Sequence, residues 1–254
     1  AKMREVADSV GAVLLVDMAH FAGLVAGKVM VGEYNPIPYA QIITSTTHKT
    51  LRGPRGGMIL CQKEFKEVVD KGCPITLGGP LPHVIAAKTV AFKEANTSSF
   101  CAYAEQIVKN AQALANGLIY HGVHVLTGGT ENHLMVFEVS SSLGLTGLQA
   151  ENALRQAHFT VNRNSIPFDK NGPWFTSGIR IGTAALTTLG MKEQEMTQIA
   201  DWIYLLLKHT KPAKAEKGNS RSLVDIDSSI LKEIQKHISV LLKRFPLYPD
   251  LIFD

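Results

Sequence analysis

Two stretches, AVLLVDMAH at residues 12–20 and QIITSTTHK at residues 41–49, decide how this sequence is expected to fold. Each begins with an apolar run that is short for a helix and ends in polar residues. Runs of this kind are typical of strands buried on both faces of a parallel sheet. A third run, GMILCQ at residues 57–62, has the same character. Because helical patterns alternate with these strands, the sequence predicts an α/β fold.

The helical patterns divide the chain into two parts. Residues 1–98 are predicted to be a portion of a large mixed-sheet domain, and residues 99–254 a smaller C-terminal α+β domain. The longest predicted helix carries a stripe at helical spacing, formed by Ile107, Ala111, Leu114 and Leu118. The predicted helices cover residues 1–10, 63–72, 83–96, 99–121, 147–158, 192–209 and 227–244, and the further strands cover 123–127, 133–139 and 178–183.

Two segments between these elements are predicted to be loops. CPITLGGPLP, at residues 73–82, separates two of the predicted helices. A polar segment at residues 211–222 precedes the last helix, and its composition predicts a solvated surface loop inserted into the second domain.

Composition excludes several classes of function. The formal charge of +4 lies in residues 208–221, which hold five basic residues and one acidic residue, so the rest of the chain lacks the basic face that nucleic acids require. No apolar run approaches the roughly 18 residues of a membrane span. The three cysteines include no C-x-x-C pair, so neither a disulfide framework nor a metal site is predicted. A reducing compartment such as the cytoplasm is expected.

Chemically active side chains follow the first two predicted strands. Asp17 and His20 come after one strand, and His48 and Lys49 come after the other. In open α/β sheets, ligands bind at the carboxyl ends of the strands, so these side chains are expected to share one crevice. A carboxylate and a lysine in that place form either a structural ion pair or part of a catalytic site. The hydroxyl-rich surroundings of Lys49 favour the catalytic alternative, in which the lysine amine is held in position as a nucleophile.

Pyridoxal phosphate is the cofactor that best matches a catalytic site of this kind. Its aldehyde forms a Schiff base with a lysine amine, and a carboxylate beside the ring nitrogen keeps that nitrogen protonated. These two roles suit Lys49 and Asp17. The amine must lose its proton to react, and nearby positive charge favours that loss. The candidate cations are His48, Arg52 and Arg55.

Six motifs follow one another along the chain: VDMAHFAGL, TSTTHKTLRGPRGG, GGPLPHVIAAK, GGTENHL, VNRNSIPFD and TSGIRIGT. This succession resembles the serine hydroxymethyltransferase family, pyridoxal-phosphate enzymes of fold type I. The resemblance implies an aminotransferase-like fold and interconversion of serine and glycine. It also implies transfer of a one-carbon unit to or from tetrahydrofolate, and assembly as a homodimer or a dimer of dimers.

The resemblance also implies roles for residues of the first domain. Lys49 matches the lysine that carries the cofactor, and Asp17 matches the partner of the pyridine nitrogen. His20 matches the histidine near the phenolic oxygen of the ring, and Thr46 matches the threonine beside the reacting imine. Arg55 is grouped with these catalytic candidates.

Further candidates bind the cofactor and the substrates. His48 is grouped with the cofactor-binding residues, and Gly78 and Gly79 match a loop that reaches the cofactor phosphate across a dimer. Arg180 matches the arginine that grips the substrate carboxylate, a task for which a planar guanidinium is well suited. The positions that match folate contacts are Asn164, Gly172, Pro173 and Trp174.

The chain departs from the family pattern in two respects. Relatives commonly carry Phe-Pro-Gly-x-Gln-Gly-Gly where this chain has CPITLGG at residues 73–79, which changes the expected shape of the phosphate loop. The chain also opens partway through a helical pattern, so we expect a fragment of a longer protein, which binds the cofactor weakly by itself. Two alternatives remain: a threonine-aldolase-type lyase that needs no folate, and a non-catalytic dimerising fragment.

Overall fold

The computed structural model describes residues 1–216 and 218–249. The chain forms two compact units, Ala1–Glu105 and the part from Gln106 onward. This division falls within the helix Ser98–Tyr120, and the predicted boundary after residue 98 lies at the start of the same helix. The helices are α1 (Lys2–Ser9), α2 (Ala22–Ala26), α3 (Lys66–Thr76), α4 (Pro82–Ala95), α5 (Ser98–Tyr120), α6 (Ser140–Leu143), α7 (Gly147–Gln156), α8 (Gly172–Phe175), α9 (Ala184–Thr188), α10 (Glu193–Lys208) and α11 (Ser228–Arg244). The strands are β1 (Leu15–Asp17), β2 (Ile42–Thr46), β3 (Gly57–Cys61), β4 (His124–Val125), β5 (Leu134–Glu138), β6 (Asn162–Asn164), β7 (Gly178–Gly182), β8 (Thr210–Lys214) and β9 (Asn219–Ile226).

The sheet of the first unit has the order β1-β2-β3. β1 and β2 are parallel, as predicted, whereas β3 is antiparallel to β2. The prediction of a buried parallel strand is therefore wrong for β3, in which Ile59 and Leu60 are 44% and 43% exposed. For β1 the predicted direction is right but the predicted burial is wrong, since Leu15 is 54% exposed. Only residues 47–56 connect β2 to β3, and a parallel crossover needs a dozen residues or more.

The hydrophobic core of the first unit lies close to the polar ends of β1 and β2. Three of its members, Met18, Ala22 and Leu51, belong to the segments that follow these two strands. Burial of these side chains anchors the segments that carry the predicted site residues. The buried residues of this core are Met18, Ala22, Val25, Ala40, Ile43, Leu51, Ala95 and Phe100.

Helix α3 continues through Pro74, although the sequence predicts a loop from residue 73 onward. Proline lacks an amide hydrogen and usually ends a helix, which explains the prediction. Helical pairing nevertheless continues beyond it, because the amide of Leu77 donates to the carbonyl of Cys73 at 2.9 Å. The loop prediction is wrong for residues 73–76, and an irregular segment at residues 77–81 follows before α4.

The second unit is built on an antiparallel sheet of order β4-β5-β7-β6. The predicted apolar stripe of α5 is fully buried, with Ile107, Ala111, Leu114 and Leu118 at 2% exposure or less. Together with the first unit, this arrangement confirms the predicted α/β class. Further fully buried side chains of this larger core include Phe137, Leu154, Ile179, Met191, Met196, Ile203 and Leu206.

Within the polar segment at residues 211–222, residues 211–214 and 219–222 are not a solvated loop, because they belong to β8 and β9, which pair as an antiparallel hairpin. Residue 217 lies outside the described residues. β9 also lies against α7, whose polar side chains donate to consecutive backbone carbonyls of the strand. Gln149 Nε2 donates to the carbonyl of Ser220 at 2.7 Å, and the Thr146 hydroxyl donates to that of Arg221 at 2.8 Å. The prediction of a loop is therefore wrong, since carbonyls expected to face water are paired with protein donors.

Three further observations concern membranes, metals and thiols. Within the described ranges 1–216 and 218–249, no helix is both long and apolar enough to cross a membrane. The same ranges contain no cluster of three or more His, Cys, Asp or Glu side chains placed to hold a metal ion. Cys61, Cys73 and Cys101 are free thiols.

Candidate functional site

The carboxyl ends of β1 and β2 bring two of the predicted site segments together. The strands are parallel neighbours, and Asp17, the last residue of β1, lies opposite Thr44 of β2. The Asp17 side chain is exposed beyond the strand, where its Oδ1 accepts a hydrogen bond from the amide of Ala19 at 3.0 Å. The edge predicted to form the crevice therefore carries Asp17 on one strand and the Thr46–Lys49 segment on the next.

Threonine hydroxyls join the segment after β1 to the segment after β2. The Thr46 hydroxyl donates to the carbonyl of Ala19 at 3.2 Å, and the Thr50 hydroxyl donates to the carbonyl of His20 at 2.7 Å. Thr50 Oγ1 also accepts from the amide of Gly23 at 2.9 Å. These bonds fix the backbone at His20 against the backbone beside Lys49.

Gly23 makes this junction possible, because the two backbones meet there without room for a side chain. A Cβ at position 23 would lie 2.2 Å from the carbonyl oxygen of Thr50 and 2.7 Å from the amide nitrogen of Leu51. Only glycine allows an approach of this closeness.

A tight turn at residues 47–56 carries Lys49. Buried Thr47 closes it, because its hydroxyl lies 2.6 Å from the carbonyl of Pro54 and 3.2 Å from that of Gly56, while its amide donates to Gly56 at 3.0 Å. Lys49 is half-buried on this turn. The threonines thus hold the backbone on both sides of the lysine and leave its amine out of these bonds.

Of the three candidate cations on this turn, two lie together. Arg55 Nη1 is 3.4 Å from Nε2 of His48, and the amide of Gly56 lies 3.4 Å from Nδ1 of the same ring. Arg52 is held elsewhere, with its guanidinium carbon 4.3 Å from the centroid of the Tyr103 ring. Cation–π attraction to Tyr103 accounts for that position.

The structure does not bring Gly78 and Gly79 into a cradle. Both lie exposed between α3 and α4, and a Cβ at either position would meet no described atom within 4 Å. Within the described part of the chain, these glycines are therefore not needed for a close approach.

Arg180 lies on β7 in the second unit, opposite Val136 of β5 and Asn162 of β6. Its side chain is half-buried, and its Nε donates to Asn162 Oδ1 at 3.2 Å. No carboxylate of the described ranges lies within ion-pair distance of Arg180. A half-buried guanidinium with a neutral partner retains donors for an anionic ligand.

The candidate folate residues lie on one ordered loop. Asn164 ends β6, and Gly172, Pro173 and Trp174 form most of the short helix α8. The Trp174 side chain is 67% exposed, with the guanidinium carbon of Arg163 at 5.3 Å from its ring centroid.

Asp169 organises this loop from within. Its carboxylate accepts hydrogen bonds from the amides of Ile166 (3.2 Å), Asn171 (2.9 Å) and Ser177 (2.8 Å), and from the Ser177 hydroxyl (2.6 Å). Burial raises the pKa of the Asp169 carboxyl, but the hydrogen bonds from Ser177, Asn171 and Ile166 outweigh it and lower the pKa below its ordinary value. The loop is therefore held by a carboxylate in its charged form.

Thr47, Thr50 and Asp169 hold the backbone of the candidate site, a role that the sequence alone does not assign to them. For Asp169 a signal exists, because FDKNG at residues 168–172 places an aspartate two residues before an asparagine in a turn-rich stretch, the pattern of an Asx turn. For the threonines, the sequence marks a hydroxyl-rich segment, while their partners are carbonyls that only the tertiary structure identifies.

Comparison with known proteins gives one consistent result. The family model described as serine hydroxymethyltransferase matches residues 1–203. The serine hydroxymethyltransferases of Cutibacterium acnes and Salinispora tropica are each 54% identical to this chain, over 99% and 97% of its length. The same enzyme of Treponema pallidum is 54% identical over 98% of the chain.

These alignments cover 51%, 52% and 43% of the three relatives, so the chain spans about half the length of the curated relatives it matches. The similarity extends over nearly every residue of the chain, including both strand ends and the loop around α8. The chain therefore belongs to the serine hydroxymethyltransferase family, whose pyridoxal-phosphate fold type I agrees with the predicted fold class.

Proposed function

We propose that the protein containing this chain interconverts serine and glycine with pyridoxal phosphate as cofactor, and passes the one-carbon unit to or from tetrahydrofolate. We further propose that it acts in the cytoplasm as a homodimer or a dimer of dimers. The observation that carries this proposal is the junction of the two strand ends. Parallel pairing of β1 with β2, together with the hydroxyl bonds of Thr46 and Thr50, fixes the segment of Asp17 beside the segment of Lys49.

The donor set of this junction fits the cofactor. When bound, pyridoxal phosphate supplies an electron sink for bond cleavage at the α-carbon of an amino acid. Lys49 would hold its aldehyde carbon through Nζ, and the Asp17 carboxylate would keep a proton on its ring nitrogen. His20 would lie near the phenolic oxygen and Thr46 beside the reacting carbon. His48, whose Nε2 lies 3.4 Å from Arg55 Nη1 on the turn of Lys49, would contact the cofactor, and the Arg55 guanidinium adds donors and positive charge.

Among the parts of the cofactor, the phosphate has the fewest candidate binding groups in this chain. Gly78 and Gly79 are exposed, and a Cβ at either would meet no described atom within 4 Å, so we assign them to a partner subunit's site, where their amides would donate to the phosphate. This assignment makes the dimer a requirement for tight cofactor binding.

Arg180 would bind the carboxylate of serine or glycine. Its planar fork matches a carboxylate bidentately, and its described polar partner, Asn162, is neutral and leaves that charge available. Fixing the carboxylate orients the bond to be broken, which lowers the entropic part of the barrier. Asn164 and the Gly172, Pro173 and Trp174 run would contact the folate.

Borohydride reduction tests the assignment of Lys49. The complete natural polypeptide is incubated with pyridoxal phosphate, reduced, digested and analysed by mass spectrometry. We expect the label on the peptide that contains Lys49, its loss in the Lys49→Arg variant, and its retention in the Lys71→Arg variant, since Lys71 is exposed on α3. A label on another lysine, or no label, would contradict the proposal and favour a non-catalytic role.

Folate dependence tests the rest of the proposed reaction. Serine cleavage to glycine is expected to require tetrahydrofolate, because the released one-carbon unit needs an acceptor. Equal rates with and without tetrahydrofolate would favour the threonine-aldolase type of lyase instead.

A further inference from the structure

The β8–β9 hairpin is attached to the start of α7 by several side chains. In addition to the bonds from Gln149 and Thr146, Asn152 Nδ2 donates to the carbonyl of Ser222 at 3.0 Å. Gln149 and Thr146 are themselves buried, and they form a capping box at the first turn of α7. The hairpin therefore has a fixed place on the second unit, and its side chains can hold other segments in position.

The start of α7 also contacts the loop around α8. The amide of Gly147 donates to the carbonyl of Thr176 at 2.9 Å, and a Cβ at position 147 would lie 2.1 Å from the Thr176 hydroxyl. The β8–β9 hairpin, the start of α7 and the loop around α8 are therefore joined in one cluster of contacts.

Arg221 on β9 reaches that loop at two points. Its Nη2 donates to Asn171 Oδ1 at 2.8 Å and lies 3.4 Å from the carbonyl of Asn171. Its guanidinium carbon lies 4.1 Å from the centroid of the Phe175 ring. Asn171 directly precedes the Gly172, Pro173 and Trp174 run, and Phe175 directly follows it, so the two contacts enclose three of the four candidate folate residues.

The contact with Asn171 continues into the loop interior. Asn171 Nδ2 donates to the Ser177 hydroxyl at 2.9 Å, and that hydroxyl lies 2.6 Å from Asp169 Oδ1. Arg221 is thus the outer end of a hydrogen-bonded series that runs through Asn171 and Ser177 to Asp169. A series of this kind couples the position of the hairpin to the conformation of the loop.

We propose that Arg221 is a positioning residue, which holds the segment Asn171–Phe175 in the conformation that receives the folate co-substrate. The inference rests on the proposed function, since it gives the loop around α8 its folate role. Arg221 acts through Asn171 and Phe175 and does not itself contact the reacting atoms. The side chain at position 221 must be a planar cation, because one face of the guanidinium stacks on Phe175 while its edge donates to Asn171.

Steady-state kinetics of the complete natural protein test this proposal. In Arg221→Ala, we expect the KM for tetrahydrofolate to rise about five- to tenfold, the equivalent of one or two lost hydrogen bonds. The KM for serine and kcat should change by less than about twofold, because Arg180 and the Lys49 turn are untouched. Arg221→Lys should not restore the KM for tetrahydrofolate, since an ammonium group cannot stack and donate as the fork does.

Lys214→Ala is the matched control, since Lys214 is an exposed cation on the same hairpin. It should leave both KM values unchanged. An unchanged KM for tetrahydrofolate in Arg221→Ala would overturn the proposal. So would an equal rise in both KM values together with a lower Tm, which would indicate a purely structural role.

Amide hydrogen exchange of residues 170–177, measured without substrates, separates this inference from the proposed function. We expect faster exchange in Arg221→Ala and no change in Lys214→Ala. Exchange at wild-type rates in Arg221→Ala would overturn the positioning role. If the unmodified protein shows no folate-dependent turnover while the variant exchanges faster, the proposed function fails and the hold of Arg221 on the loop is supported.

Discussion

The turns after β1 and β2 and the loop around α8 are both held in a fixed conformation by side-chain hydrogen bonds, but the groups that form these bonds differ. In the first unit, neutral hydroxyls of Thr46, Thr47 and Thr50 hold the backbone. In the second unit, charged groups, Asp169 and Arg221, hold the loop. Neutral hydrogen bonds do not depend on protonation, whereas bonds to a carboxylate are stronger and are lost when it is protonated. The hydroxyl bonds that hold the turn of Lys49 are therefore independent of pH, whereas the carboxylate bonds that hold the loop around α8 are not.

This division leaves charged side chains of the first unit available for chemistry. Lys49 donates none of the bonds that close its own turn, and Asp17 binds only the nearby amide of Ala19 among the contacts described above. In the loop around α8, by contrast, Asp169 and Arg221 form hydrogen bonds that hold the backbone in place. Substitutions of glycines and threonines, together with a change of pH, test this contrast.

The largest losses of stability are expected from two glycine substitutions, one in each unit. Gly23→Ala places a methyl group against rigid backbone, 2.2 Å from the Thr50 carbonyl, and should destabilise the first unit by about 3 kcal/mol or more. Gly147→Ala meets the Thr176 side chain at 2.1 Å and the carbonyl of Gly178 at 2.8 Å, and should cost about 1–3 kcal/mol. Thermal unfolding and pyridoxal-phosphate affinity of the complete protein measure both.

Gly72→Ala is the control for these substitutions, because a Cβ at position 72 of α3 would meet no described atom within 4 Å. It should be neutral or slightly stabilising. Similar small effects at Gly23 and Gly72 would refute the close junction of the two strand ends.

A smaller effect is expected from Thr50→Val, which preserves shape and removes the hydroxyl. The amide of Gly23 and the carbonyl of His20 lose their partner in a buried place, at a cost of about 1–3 kcal/mol. We expect pyridoxal-phosphate affinity to fall about tenfold and this fall to be independent of pH. Titration of cofactor absorbance measures it.

Thr89→Val is the matched control, since the exposed Thr89 hydroxyl bonds only within α4, to the carbonyl of Ile85 at 3.2 Å. An equal loss of affinity in the two variants would argue against a specific role for the Thr50 bonds.

The smallest expected effect is a loss of amide protection at low pH that is confined to the loop around α8. The folded pKa of Asp169 lies below its unfolded value of about 4, so its stabilisation is complete above that value and is lost as the pH falls through the folded pKa. Amide protection of Asn171 and Ser177, corrected for intrinsic exchange, should therefore fall in acid. Protection of Gly23, held by a neutral hydroxyl, should persist over the same range.

Asp169→Asn should show the weakened protection at neutral pH and little further change in acid. Asp225→Asn, on the exposed face of β9, serves as the control. Parallel loss of protection at Gly23 and Ser177 would indicate global acid unfolding and contradict the contrast between the two regions. Glu138 and Asp227, whose pKa values are also lowered, by His124 and Ser229 respectively, contribute to such global unfolding.

Much of the fold follows from local patterns, and the failures have identifiable causes. The stripe of α5 and the parallel pairing of β1 with β2 follow from periodicity and from apolar runs. The direction of β3 follows instead from the shortness of the connection at residues 47–56. The hairpin was missed because its composition is polar, although NSRSLVDI at residues 219–226 alternates between exposed and partly buried positions, as a strand does.

The candidate site was predictable as a set of residue types and less so as an arrangement. The motifs predict Asp17, Lys49 and Arg180 as site residues, because the proposed roles demand particular functional groups. The carbonyls of Ala19 and His20, which pair with Thr46 and Thr50 beside the Lys49 turn, are backbone atoms and have no signature in the sequence. Arg221 is hidden for a different reason, since its partner Asn171 lies 50 residues earlier in the chain.

One consequence of the contact between Gly147 and Thr176 concerns variation during evolution. Thr176 has a φ of 56°, an unfavourable value for a β-branched residue, and its hydroxyl occupies the space that a side chain at position 147 would need. A smaller residue at 176 would relieve that contact, but the backbone carbonyl of Gly178, 2.8 Å from the same Cβ, would remain. Related sequences should therefore retain glycine at position 147 whichever residue they carry at 176.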